Sequence, residues 1–164
     1  MTLVALVDTN VVVRGVLAAA EDSPTALILE AMAAGRLHFI LSDDLFAEYR
    51  AVLLRPAVVA RHGLTEAEVD AVLEGIVANA GWREPAAADG PTRGPAAVEA
   101  ALPSAPPRPV VPGDEHVLAL LEAESQATLV TGDRRLREAV AALRPALTPA
   151  ELAAQLSAEA SAER

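Results

Sequence analysis

The sequence predicts an α/β domain, a three-layer sandwich of helices around a mainly parallel central sheet, and three observations lead there. Apolar runs of strand length alternate with segments of helical periodicity, the order expected when parallel strands are joined by helical crossovers. The first run, LVALV at 3–7, is apolar throughout, as in strands covered on both faces. Two runs, LVALV and ATLVT, end on acidic turns, at Asp8 and at Gly132-Asp133. Ligands of parallel sheets collect outside the carboxyl ends of the strands.

The elements follow in order. After Asp8-Thr9-Asn10, VVVRGVLAA reads as a short helix despite its β-branched start. Ser23-Pro24 supplies an N-cap and a first helical residue for TALILEAMAA, with Gly35 as the stop. LHFIL is a second strand. Ser42 opens a helix with Leu45, Phe46, Tyr49, Val52 and Leu53 on one apolar stripe, ending near Pro56. Thr65 and Glu68 form a capping box before VDAVLEGIVANA. A Pro/Ala-rich loop is expected over about 84–112. Helical pattern resumes at Asp114, ATLVT is a strand, and RRLREAVAAL is a helix. Thr148-Pro149-Ala150-Glu151 is a second capping box. It opens a last helix expected to fray over 157–164, so that one domain spans 1–156.

Composition narrows the chemistry. Hydrophobic residues make up 52% and aromatic residues only 2%, so the core is built from Ala, Leu and Val. The net charge of −10 argues against holding nucleic acid through the overall field. It leaves open a nuclease whose bound metal supplies positive charge locally. There is no Lys, which removes Schiff-base, Lys-base and P-loop mechanisms. With no Cys, thiolate zinc sites and thiol nucleophiles are excluded. Asp8 interrupts the first apolar stretch and no basic segment precedes it. Neither a signal peptide nor a membrane span is expected there, and the default location is cytoplasmic.

Asp8, Glu48, Asp114 and Asp133 each lie where an apolar element would carry them toward one edge of the sheet. Gathered carboxylates raise one another's pKa unless a cation holds them, and hard divalent cations favour oxygen ligands. Each acid also has an ordinary explanation. Asp8, Asp114 and Asp133 suit helix caps, and Glu48 suits a solvated helix face beside Arg50. Thr9 and Asn10 are short polar side chains able to support a metal shell or a phosphate. His38 reads as a half-buried core residue, His62 as a cation at a helix exit, and His116 as a surface residue near Asp114, within reach of a substrate as the alternative.

Taken in order, the segments LVDTNVVVRGVL, LSDDLFAEYRAVLLRP, PGDEHVLALLEAESQATLVTGDRRL and ALTPAEL resemble the PIN domain. The branch they resemble is that of toxins related to the VapC type. DTN after a strand is weak alone. The ordered set of DTN, S-x5-E with a trailing L-x-R-P, D-x2-VLAL and TGD is specific. The resemblance implies a ribonuclease acting on RNA with one or two Mg²⁺ or Mn²⁺ ions held by Asp8, Glu48, Asp114 and Asp133. Asn10 and Thr131 match the polar positions beside them. It further implies an antitoxin partner and a homodimer. Arg134 and Arg135, just past TGD, are the candidates for contacting substrate. The chain departs from that branch before Asp114, where VVPGD replaces a run that commonly carries another acid. A PIN fold that binds without cutting is therefore the alternative. A haloacid-dehalogenase phosphohydrolase would want an Asp where Asn10 stands and usually a Lys, and a Rossmann binder would want a Gly-rich first turn.

Overall fold

In the computed structural model, residues 2–85 and 114–162 are described. The Pro/Ala-rich stretch predicted at 84–112 lies outside them from residue 86 onward, as do Val111 and Gly113. Five strands form: β1 (Val4–Val7), β2 (Ile40–Leu41), β3 (Gly81–Trp82), β4 (Ala127–Val130) and β5 (Ala146–Leu147). Strand β1 pairs with β4 and β4 with β5, while β2 pairs with β3, every pairing parallel. A parallel bridge between Ala5 and Phe39 joins the two groups, so the spatial order is β3-β2-β1-β4-β5.

Helices make the crossovers that parallel neighbours require. They are α1 (Thr9–Leu17), α2 (Pro24–Ala33), α3 (Asp43–Leu53), α4 (Pro56–His62), α5 (Glu66–Val77), α6 (Glu115–Ala123), α7 (Arg134–Ala141) and α8 (Pro149–Ala162). Successive strand residues face opposite sides of a sheet, yet Ala5, Leu6 and Val7 are all inaccessible, as are Leu129 and Val130. Both faces of the central strands are therefore covered, and the predicted α/β layering holds.

The predicted caps formed. Ser23 Oγ accepts the Ala26 N–H at 3.2 Å, and Thr65 and Glu68 complete a reciprocal box. Thr148 and Glu151 do the same at the head of α8. Gly35 ends α2 with φ 70°, a left-handed conformation that glycine adopts without steric cost.

Several expectations need correction. Pro56 does not merely end α3; as the first residue of α4 it starts another helix, which a proline favours because its missing N–H has no partner there. The last helix continues to Ala162 instead of fraying from 157. His38 is exposed, not half-buried. His62 is bonded at both ring nitrogens: its Nδ1 accepts the Leu64 N–H at 2.9 Å and its Nε2 donates to the Leu53 carbonyl at 2.9 Å. The ring is a strut between the ends of α3 and α4.

Candidate active site

The register of the two central strands builds the site. Val7 lies beside Val130, so the residues that follow leave the sheet side by side. The Asp8 N–H donates to the Val130 carbonyl at 3.0 Å, and the Thr131 hydroxyl donates to Asp8 Oδ2 at 2.7 Å. Thr131 also accepts the Asp133 N–H at 3.0 Å, which ties the fourth acidic position to the first through one buried hydroxyl. Asp8 is 4% exposed and Thr131 is fully buried.

Glu48 arrives from α3. Leu45, Tyr49 and Leu53 are the buried face of that helix, and Glu48 stands on its flank. The Tyr49 hydroxyl donates to the carbonyl of Val7, which pins α3 across the end of β1. Burial, with Asp8 and Glu48 nearby, keeps the Tyr49 phenol protonated far beyond its ordinary range, so it stays a donor. Glu48 Oε2 accepts from the Thr9 hydroxyl and from His116 Nε2 at 2.9 Å. Asp114 precedes α6, in the same first turn as His116.

The capping explanation can now be separated from the functional one. Asp133 does cap a helix: its Oδ1 accepts the N–H groups of Arg135 and Leu136 at 2.9 and 3.3 Å. Asp8 and Asp114 occupy N-cap positions of α1 and α6 but neither side chain makes a cap hydrogen bond. They are instead destabilised as anions. Burial pushes the Asp114 carboxyl up to about 6, and the charges of Asp8, Glu48 and Asp133 add to the shift while His116 opposes it. Burial raises Asp8 as well; the Thr131 hydroxyl and Thr9 N–H work against it, and Glu48 and Asp133 reinforce it. No Arg among the described residues pairs with any of the four acids.

The structure thus brings Asp8, Glu48, Asp114, Asp133 and Thr131 into one electrostatically coupled group. Asn10 does not bond to it; it is exposed and lines an adjoining cavity with Arg14, Gly132 and Asp133. Arg134 turns to Glu138 at 2.8 Å and is 81% exposed, and Arg135 is exposed. Sequence reasoning missed His116, which bonds to Glu48 instead of facing solvent alone. Its position two residues after Asp114, at the start of the same helix, was the only available signal.

The donors are hard oxygens, as Mg²⁺ and Mn²⁺ favour, and Asp133 Oδ2 and Glu48 Oε1 keep lone pairs that no described donor occupies. Among the described residues no three His, Asp or Glu side chains form a ready-made coordination shell. The donor set fits a divalent cation in kind and in charge, and the side chains have to draw closer to hold one. The PIN domain family matches the chain over residues 4–135. No curated protein and no solved structure matches it.

Proposed function

The chain belongs to the PIN-domain family, whose members are generally metal-dependent nucleases, and from that premise we propose that it is a Mg²⁺- or Mn²⁺-dependent endoribonuclease. The observation that carries this reading is an acidic group that no Arg offsets among the described residues: Asp8 is buried and Asp114 partly buried next to Glu48 and Asp133, with only His116 opposing the rise at Asp114. A fold that only needed caps would not raise two carboxylates in this way. Asp8, Asp114 and Asp133 would hold one or two ions, and Glu48 would either join them or orient the attacking water. A bound divalent cation supplies charge that offsets the phosphate and lowers the pKa of a water.

The chain's own groups have defined tasks. Thr131 fixes one Asp8 oxygen and so sets the orientation of the carboxylate. Thr9 and His116 hold Glu48 by a single oxygen, leaving Oε1 to face a water or an ion. Tyr49 keeps α3 seated on the end of β1, which maintains the distance between Glu48 and Asp8. RNA is the substrate we infer, and an antitoxin and a second copy of the chain are the partners. No helix among the described residues is long and apolar enough to cross a membrane, and we place the protein in the cytoplasm.

A binding module that does not cut is the second reading. It is favoured by the sequence VVPGD, with Val111 and Gly113 where the resemblance leads one to expect another acid, and by the lack of a preformed shell among the described residues. Cleavage of single-stranded RNA with Mn²⁺, compared between the parent and Asp8→Asn, separates the two. The enzyme reading expects the variant to lose at least about 100-fold in rate, the scale of catalytic electrostatic contributions. Equal rates would assign the cleavage to a contaminant and leave the binding module.

A further inference from the structure

We infer that the cavity between α1 and the turn from β4 to α7 is a phosphate-binding subsite for single-stranded RNA, with Arg14 as its cation. The inference rests on the nuclease reading and adds how the substrate strand is held. The cavity is about 230 Å³ and is lined by Asn10, Val11, Arg14, Gly132, Asp133 and Pro149. It shares Asp133 with the acidic group, so a strand whose scissile phosphate lay over the carboxylates would lead a neighbouring phosphate directly into it. The volume is several times the roughly 30 Å³ that a water occupies in the liquid, enough for a phosphate group.

The lining suits an anion despite the acids nearby. Asn10 and Arg14 are four apart on α1 and so share one helix face, presenting an amide and a guanidinium to the same space. Asp133 has already committed Oδ1 to the first turn of α7. At Gly132 there is no side chain, and Arg14 Nη1 lies 3.6 Å from where a Cβ would stand. The guanidinium therefore lies against bare backbone at the strand end.

Arg14 is also a basic group left available beside the acids and, among the described residues, the one Arg that lines this cavity. Arg36, Arg50, Arg83 and Arg134 are each engaged by a carboxylate, and Arg144 donates to the Glu124 carbonyl at 2.7 Å. Arg14 forms no ion pair among the described residues, and no other Arg lines this cavity. Of the two residues that the sequence suggested for substrate contact, Arg134 is held by Glu138 and Arg135 lies outside the cavity. A guanidinium matches a phosphate with paired N–H donors, which gives position as well as charge. In a chain of net charge −10, a local cation of this kind is what holds a polyanion near the carboxylates.

The test uses the full chain and a short single-stranded RNA, with Mn²⁺ at several salt concentrations. Arg14→Ala is expected to raise KM about tenfold, the scale of losing a hydrogen bond to a charged group. It should change kcat by less than about twofold, since the contact is made equally in the ground and transition states. The slope of log affinity against log salt should fall by about 1. Arg14→Lys should restore that slope but only part of the affinity, because a point charge replaces the fork. Mn²⁺ uptake by calorimetry should match the parent in both variants, which separates loss of the subsite from loss of the fold. Arg61→Ala removes the same charge from an exposed position on α4 and should leave KM within about twofold of the parent, as surface substitutions away from a site do. An active parent whose KM and salt slope survive Arg14→Ala would overturn the subsite alone. A parent without RNA cleavage would overturn the nuclease reading, and the subsite with it.

Discussion

Two kinds of acidic residue sit at helix starts in this molecule, and their environments drive them in opposite directions. At the exposed heads of α5 and α8, Glu68 and Glu151 accept hydrogen bonds from the backbone N–H and hydroxyl of Thr65 and Thr148, which lower their pKa values. At the carboxyl edge of the sheet, Asp8 is buried and Asp114 partly buried; neither makes a cap bond, both face other carboxylates, and both have raised pKa values. Both groups stand at helix starts, Glu68 and Glu151 at the third helical position and Asp8 and Asp114 at the N-cap. Burial and the sign of the neighbouring charges make the difference, and they mark only the second group as chemically unsatisfied. Asp133 combines the two roles, one oxygen capping α7 while its charge acts on Asp8 and Asp114.

The contrast can be broken from either side. Thr131→Val should have the larger effect, because it removes the hydroxyl from a buried bridge and leaves Asp8 Oδ2 and the Asp133 N–H without their partner. A cost of about 1–3 kcal/mol is expected in urea unfolding at pH 7, together with weaker Mn²⁺ uptake. A cost well below 1 kcal/mol with unchanged uptake would mean that the bridge does not organise the site. Thr65→Ala should cost about 1 kcal/mol by loss of the cap. This change lies on the satisfied side of the comparison, so Mn²⁺ affinity should stay at the parental value. A loss of metal affinity from so distant a cap would undo the separation between the two groups.

What could be read from the sequence follows the same division. Elements whose signal is local were legible: β1 and β4 from apolar runs, α2 from Ser23-Pro24, α5 and α8 from their boxes. Strand β2 was legible in LHFIL, although only Ile40–Leu41 form it; β3 and β5 are two residues each, too short to show a period of two, and they exist because a neighbouring strand offers a ladder. The α4 helix was hidden because Pro56 serves both as a stop and as a start. Among the site residues, Asp8, Asp114 and Asp133 were visible as strand-end and helix-start acids, Glu48 as an acid within a helix, and Thr131 only through the family resemblance. The bond from His116 to Glu48 was not, because it depends on how α6 packs against α3. Arg14 likewise reads as an ordinary basic residue in the last turn of a helix until the β4–α7 turn is placed beside it.

The most direct test is a Mn²⁺ titration by calorimetry across pH 5 to 8, in buffers of different ionisation enthalpy so that released protons are counted. The sign follows from the raised carboxyls. A folded-state pKa above the unfolded value makes the metal-free chain more stable at low pH. For Asp114 that stability is lost as pH rises from near 4 through about 6. A cation needs the deprotonated form, so affinity should climb as pH rises through about 6, with proton release below that pH and little above it. Asp8→Asn should weaken uptake strongly while stabilising the metal-free chain at pH 7. Uptake that ignores pH, or an Asp8→Asn variant that binds Mn²⁺ like the parent, would contradict the claim that these carboxylates form a cation site.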